Sequence, residues 1–121
     1  MLPARHRLRT RPEFTAATRG PGSARAGSRL LVVHAHLTDM SGETPSRVGF
    51  VVSSAVGGAV RRNTVKRRLR EAMRPLVVDL GGGFDVVVRA QPAAATATFT
   101  ELSTTLRRLL GLVEGTARRR I

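Results

Sequence analysis

The sequence predicts an α+β fold, a two-layer sandwich in which helices pack on a small, mostly antiparallel sheet. Apolar spacing indicates helices and strands in the order helix, two strands, helix, strand, helix, and no internal repeat interrupts this order. With 121 residues the chain is long enough for one hydrophobic core and too short for two ordinary domains. We therefore treat residues 1–121 as one domain and expect residues 1–10 and 115–121 to be flexible.

The first predicted element is a short helix at about residues 12–18. Pro12 and Glu13 follow Thr10, and a proline with an acid in the first turn is typical of a helix start. The stretch 19–28 is rich in Gly, Arg and Pro, so we expect it to be a loop.

Two strands are predicted next, over residues 30–37 and 47–53, with a polar turn at 38–46 between them. We expect them to pair as an antiparallel hairpin. Alternation along the first strand directs one set of side chains to the core and the other set to the opposite sheet face. The predicted core set is Leu31, Val33, Ala35 and Leu37, and the other set is Leu30, Val32, His34 and His36.

The second half of the chain is predicted to hold two helices and one strand. A basic helix runs from about residue 58 to residue 73, where Pro75 is expected to stop it. The strand 84–90 is nearly continuous in apolar residues, which predicts a central and buried position. Leucines at helical spacing mark a last helix at about 99–114, and residues 118–120 are expected to form a mobile tail.

The basic helix separates into two faces at about 100° per residue. Its apolar stripe is Val65, Leu69, Ala72, Met73 and Leu76. About half a turn away lie Asn63, Lys66, Arg67, Arg70 and Arg74. Glu71 is the only acid among the seven cations from Arg61 to Arg74, so we expect this face to bind a polyanion, with an unusually basic solvent face as the alternative.

The whole chain has a formal charge of +13 and an isoelectric point near 12.0. Such a balance is typical of nucleic-acid binders, and a cationic membrane-surface protein is the competing class. No apolar run approaches a membrane span and the amino terminus lacks an export signal, so we expect no membrane partner. The absence of cysteine excludes disulfides and thiolate metal sites and fits a cytoplasmic protein.

No catalytic or metal-binding pattern stands out. His34 and His36 share a strand face without a third ligand, and the eight acids include no close pair for acid–base or two-metal chemistry. We therefore predict no catalytic residue, no metal ligand and no small-molecule substrate. With four Phe and neither Tyr nor Trp, base stacking must be sparse. We expect Phe14 to be partly exposed and the other three, Phe50, Phe84 and Phe99, to be in the core.

Several motifs together resemble a known family. They are Arg47-Val-Gly-Phe-Val-Val-Ser, Arg62-Asn63, Val65-Lys66-Arg67-Arg68 with Leu69-Arg70-Glu71, the opening Arg7-Leu8-Arg9 and Glu13-Phe14, and the later Asp85-Val-Val-Val-Arg89-Ala. This set resembles the protein subunit of bacterial ribonuclease P, and the likeness covers nearly the whole chain. The resemblance implies a fold like domain 2 of ribosomal protein S5, with a left-handed crossover where the general rule predicts a right-handed one.

The resemblance also implies a function. The protein subunit binds a catalytic RNA that removes the 5′ leader of precursor tRNA with Mg²⁺, and the protein itself needs no cofactor. Residues implied to face the catalytic RNA are Arg62, Asn63, Lys66, Arg67 and Arg70, with Arg61, Arg68 and Arg74 as further RNA-binding candidates. The leader is implied to lie in a cleft between the first helix and a sheet face, lined by Phe14, Arg9, Val32, His34 and His36.

Thr64 departs from the family signature, which normally has a second Arg there, and we expect Arg61 or Arg68 to compensate. Arg62 lies near the edge of the apolar stripe by angle, so it reaches RNA only if the helix start directs it outward. Two other functions stay open. One is a ribosomal-protein-like RNA binder with no processing role, and the other is a protein that is itself an endonuclease, against which the missing carboxylate pair argues.

Overall fold

The computed structural model describes residues 2–20 and 22–119, in which three α-helices pack on a four-stranded sheet. The helices are α1 (Arg11–Arg19), α2 (Ala59–Leu80) and α3 (Phe99–Arg119), and the strands are β1 (Ala24–Gly27), β2 (Leu31–Leu37), β3 (Arg47–Val51) and β4 (Phe84–Ala90). Short 3₁₀ helices occupy Ala4–His6 and Pro92–Thr96. The predicted α+β class is confirmed. No described helix is long and apolar enough to cross a membrane.

The strands lie in the order β1-β2-β4-β3. The predicted central position of β4 is confirmed, because it pairs antiparallel with β2 and parallel with β3. The predicted hairpin is wrong, since β4 lies between β2 and β3. Val86, Val87 and Val88 are fully buried, so β4 needs cover on both faces and takes the interior place in the sheet. The hand of the β3–α2–β4 crossover stays a prediction.

The stretch 19–28, predicted to be a loop, contains β1. This strand pairs with β2 and buries Ala24, which is 1% exposed. Its sequence, Ala-Arg-Ala-Gly, has little intrinsic strand propensity, so pairing with β2 rather than local preference makes it a strand.

The two faces of the sheet are covered unequally. The helices α2 and α3 pack on one face, where the predicted core set of β2 joins buried residues such as Leu69 and Leu106, as predicted. The assignment of Leu30 to the opposite face is wrong, because Leu30 precedes β2 and belongs to this same core. On the other face α1 makes only a small cluster of Leu8, Ala17 and Val87. Beside α1 part of that face stays open, where Arg25 and Arg89 are exposed and His34 is half-buried.

The helix α2 continues through Pro75 to Leu80, so the expected stop is wrong. Pro75 lies on the exposed side, where water can satisfy the carbonyl that loses its partner. Beyond the proline, Leu76, Val77 and Leu80 are buried, and their burial offsets the cost of the proline.

Both ends of the described chain pack against the rest of the fold, while the flexibility of residues 1–10 and 115–121 stays a prediction. At the amino end Leu2 is 2% exposed, and the Leu8 N–H donates to the Val48 carbonyl at 3.0 Å, which places Arg7 and Leu8 beside β3. At the other end α3 runs past its predicted end at residue 114 to Arg119 and buries Ala117. Arg118 and Arg119 are therefore helical where a tail was predicted, while 120 and 121 lie outside the described residues.

One of the three predicted core phenylalanines lies outside the core. Phe84 is fully buried, as predicted, but Phe99, the first residue of α3, is 45% exposed. Phe50 is half-buried and packs against the main core.

Candidate nucleic-acid interface

The predicted two faces of α2 are confirmed. Its apolar stripe is buried in the main core, while Asn63, Arg67, Arg70 and Arg74 are exposed and Lys66 is half-buried. Within the part of the chain that the structure describes, Arg74 forms an ion pair with Glu71 at 3.0 Å, and no ion pair is found for Lys66, Arg67 or Arg70. Most of the basic face of α2 (Asn63, Lys66, Arg67, Arg70 and Arg74) is thus directed away from the core.

Arg61 and Arg68 lie on the opposite flank of α2 from Lys66. Arg61 donates to the Ala95 carbonyl at 3.3 Å and Arg68 donates to the Ala97 carbonyl at 3.1 Å. These bonds tie α2 to the segment before α3. Both arginines flank Thr64, and each guanidinium already has a protein partner. That either of them compensates for the missing Arg stays a prediction.

Arg62 lies at the edge of the apolar stripe, as its angle predicts. It is half-buried, and its Nε is buried without a hydrogen-bond partner among the described residues. Together with Val52, Asn63 and Lys66 it lines a cavity of about 180 Å³ between α2 and the end of β3. The contact of Arg62 with RNA stays a prediction.

A second cavity, of about 320 Å³, joins residues that the sequence assigned to two surfaces. Arg9 and Phe14 of the predicted leader cleft meet Lys66 and Arg70 of α2 there. We call it the basic cavity; its other lining residues are Leu2, Arg7, Leu8, Val48, Gly49 and Phe50. Sequence reasoning missed Arg7 because residues 1–10 were expected to be flexible.

A third cavity, of about 430 Å³, lies on the open sheet face beside α1. It brings together Phe14 and His34, as predicted for the cleft. We call it the open-face cavity; its other lining residues are Thr15, Thr18, Arg19, Val51, Val87 and Arg89. Arg89 was missed although it is the only cation in an apolar strand, which is a usable signal.

Two predicted cleft residues line neither large cavity. Val32 is only 4% exposed, and His36 lies close to Gly20 at the end of α1. They share the sheet face of His34, as the alternation predicts, but β1 and α1 lie beside them. The alternation along one strand shows which sheet face a side chain is on, but not whether another element of the fold covers that part of the face.

His34 lies among arginines. Arg25 of β1 is directly opposite it in the strand pair, and Arg89 of β4 is its diagonal neighbour. Burial lowers the pKa of His34, and the charges of Arg25 and Arg89 lower it further, so the imidazole is neutral at pH 7. An anion bound among these groups would neutralise the two arginines and so raise the pKa of His34.

One carboxylate fixes the start of α1. Oε1 of Glu13 accepts the N–H groups of Arg9 and Thr10 at 2.8 and 2.9 Å, and the Thr10 hydroxyl accepts the Glu13 N–H, which completes a capping box. These backbone hydrogen bonds, with the Arg47 guanidinium, lower the pKa of Glu13 from 4.5 to about 2.

The same carboxylate connects α1 to the sheet. Arg47 donates from Nη1 to Oε2 of Glu13, and it donates from Nε and Nη2 to the two oxygens of Asp85 at 3.0 and 2.8 Å. Asp85 and Arg47 are register partners in the β3–β4 pair. The arrangement Glu13–Arg47–Asp85, here called the ion-pair bridge, joins the helix that carries Phe14 to the central strand.

Among the described residues, no group of three His, Asp or Glu side chains is close enough to hold a metal ion. The chemistry that the surface offers is charge and stacking. Arginine forks bind phosphate oxygens with paired hydrogen bonds, and an accessible phenylalanine ring stacks on a base.

Comparison with known proteins gives a consistent result. Residues 2–114 match the sequence profile of the family described as Ribonuclease P. The ribonuclease P protein component of Kocuria rhizophila is 53% identical over 103 residues, covering 85% of this chain and 87% of that protein. That of Beutenbergia cavernae is 57% identical over 102 residues, covering 84% and 82%. The solved RNase P protein from Thermotoga maritima superposes with a TM-score of 0.71 at 29% identity, covering 92% of this chain and 97% of that one.

Proposed function

Because the chain belongs to the Ribonuclease P protein family, we propose that it binds a catalytic RNA and the 5′ leader of precursor tRNA in the cytoplasm, and that the RNA performs the cleavage. The family names support a role in tRNA processing and do not favour the ribosomal-protein-like alternative. In this proposal Mg²⁺ is bound by the RNA, whose phosphate oxygens are the hard ligands that this ion prefers. The protein supplies positive charge and a binding cleft.

The basic cavity is the observation that carries the proposal. It places four cations, Arg7, Arg9, Lys66 and Arg70, around a half-buried aromatic ring, that of Phe14. A basic groove with a stacking platform is the arrangement that binds single-stranded nucleic acid. The exposed face of α2 begins at this cavity, so a protein that holds the leader there presents Arg67 and Arg74 to a second RNA.

Screening of phosphate repulsion gives the protein its role in the reaction. A folded RNA and a tRNA precursor repel each other, and a protein with a net charge of +13 between them neutralises phosphates of both. High Mg²⁺ concentrations screen the same repulsion without a protein. The protein is therefore expected to matter most where Mg²⁺ is scarce.

The test is 5′ cleavage of precursor tRNA by the cognate catalytic RNA at low Mg²⁺, with and without the protein. We expect the protein to restore cleavage that the RNA alone loses, and added Mg²⁺ to reduce the difference. No gain in cleavage on addition of the protein would contradict the proposal. Cleavage by the protein in a reaction without RNA would instead support the endonuclease alternative.

A further inference from the structure

The ion-pair bridge fixes the residue before Phe14 from two sides. One oxygen of the Glu13 carboxylate is held by the backbone of the α1 start and the other by Arg47. The carboxylate cannot shift without losing one set of partners. Since Phe14 follows Glu13 in the same helical turn, the bridge sets where the Phe14 side chain leaves α1 relative to β4.

The ring of Phe14 is held against the sheet at a second point. Gly49 shares a face of β3 with Arg47, two residues along the strand. A Cβ atom at Gly49 would lie 2.2 Å from Cζ of Phe14, so the ring rests directly on the strand backbone. In this position the ring lines both the basic cavity and the open-face cavity.

Arg47 differs from the cations that are free to bind phosphate. Its Nε, Nη1 and Nη2 all donate to carboxylate oxygens, and two carboxylates balance its charge. Lys66 and Arg70 line the same region of the molecule without an ion pair among those found in the described residues. A direct contact with RNA is therefore not the role that the geometry favours for Arg47.

We propose that Arg47 is a positioning residue, which holds the Phe14 ring between the two cavities through Glu13 and so controls binding of the leader. This inference rests on the proposed function, because it requires the ring to contact the leader. Arg47 itself contacts no RNA. When the ion-pair bridge is lost, the start of α1 is free to move, and the Phe14 ring no longer packs on Gly49.

The variants must break the bridge and keep the fold. Removal of the Arg47 side chain would leave the Asp85 carboxylate, which is 7% exposed, without its partner, and such a variant risks unfolding. Glu13→Gln keeps the size of the side chain and an oxygen that accepts at the helix start, but it removes the charge that faces Arg47. Arg47→Lys keeps the charge and loses the planar fork. Glu114→Gln, which removes a carboxylate paired with Arg118 on α3, is the matched control.

The measurement is the affinity of the reconstituted holoenzyme for precursor tRNA with a leader and for the same tRNA without one. We expect Glu13→Gln and Arg47→Lys to weaken binding of the leader-bearing RNA by roughly 3- to 10-fold, part of the loss that removal of a stacked ring causes. Binding of the leaderless RNA and of the catalytic RNA should not change, and Glu114→Gln should change none of them.

Non-additivity separates positioning from general stability. In a Phe14→Leu background, Glu13→Gln should cause no further loss of leader affinity, because both changes act through the same ring.

Gly49→Ala should displace the Phe14 ring from the strand without changing the ion-pair bridge, and it should give the same selective loss of leader affinity. Fluorine NMR with fluorophenylalanine has only four resonances to assign, and the Phe14 resonance should shift in Glu13→Gln, Arg47→Lys and Gly49→Ala.

Two results would overturn the inference in distinguishable ways. If Phe14→Leu itself leaves leader affinity unchanged, the leader cleft is wrong and the positioning role is wrong with it. If Phe14→Leu weakens leader binding but Glu13→Gln and Arg47→Lys do not, or their losses add fully to that of Phe14→Leu, only the positioning role is wrong.

Discussion

The exposed face of α2 and the start of α1 are both basic, but they use their charges differently. On α2, Arg67 and Arg70 extend into solvent with few protein partners. At the start of α1, Glu13 pairs with Arg47 of β3, whose charge is also balanced by Asp85. The ring of Phe14, the next residue of α1, rests on Gly49. The first region is suited to bind phosphates of any sequence, whereas the second is preorganised to hold one group in one place. Each of the following predictions tests whether this division holds.

Leu69→Ala should have the largest effect, and the effect should be on folding. Leu69 is fully buried under the basic face of α2, so its truncation is expected to cost about 2 to 5 kcal/mol of unfolding free energy. Arg70→Ala, on the next residue, should change stability little. Urea unfolding of both variants makes the comparison, and equal losses would show that the two faces of α2 are misassigned.

Phe14→Leu should have the next largest effect, and it should depend on the leader. Loss of a stacking ring is expected to weaken holoenzyme binding of leader-bearing precursor tRNA by about tenfold, with no change for leaderless tRNA. Competition binding with the two RNAs measures this directly. A loss of the same size for both RNAs would place Phe14 outside the leader site.

Arg67→Ala should weaken binding to the catalytic RNA and reduce the salt dependence of that binding. If Arg67 neutralises one phosphate, its removal lowers the magnitude of the slope of log K against log salt by about one. For about five cations of α2 the full slope is expected to be roughly −3 to −5. Titration of the protein with catalytic RNA at several salt concentrations tests both numbers, and an unchanged slope in the variant would contradict the assignment of Arg67.

His34 should couple leader binding to pH. Its pKa is lowered in the free protein, by burial first and then by Arg25 and Arg89, and Arg19 lines the same cavity. A phosphate bound there neutralises the arginines and raises that pKa, so binding takes up a proton. Leader affinity should rise roughly threefold from about pH 7.5 to about pH 6, and His34→Gln should abolish the rise. A rise of equal size in His34→Gln would exclude His34 as its source.

The smallest effect should be the part of the loss of folding stability at acid pH that is due to Glu13. Because its pKa in the folded state, about 2, lies below the ordinary value of 4.5, its stabilisation is complete above pH 4.5 and is lost as the pH falls towards 2. Glu13→Gln should therefore lose less stability over that range than the parent protein does. Urea unfolding at the two ends of the range measures the difference, and parallel curves would contradict this role.

The sequence predicts burial and exposure best where the periodicity of a single strand or helix determines which face a side chain is on. Alternation in β2 assigns Val33 to the core and His34 to the other face, and helical spacing assigns Leu69 and Arg70 to opposite sides of α2. Contacts between distant segments were not predictable in this way. The strand β1 exists because β2 lies beside it, and Pro75 is tolerated because Leu80 beyond it is buried.

The candidate site shows the same limit. Sequence motifs identified Phe14, Lys66 and Arg70, but they placed the ring and the cations on separate surfaces, and the structure brings all three to one cavity. The ion-pair bridge was missed altogether. Glu13 and Arg47 are 34 residues apart in the chain, and no local pattern connects two such charges.

The most direct test of the division uses the absence of cysteine from the chain. Single cysteines introduced as Thr15→Cys, which lines the open-face cavity and spares Phe14, and as Arg67→Cys on α2 would each carry an iron-EDTA group that cleaves nearby RNA. In the assembled holoenzyme with precursor tRNA, we expect the group at position 15 to cleave the leader and the group at position 67 to cleave the catalytic RNA. Cleavage of the same RNA from both positions, or the reverse assignment, would contradict the account.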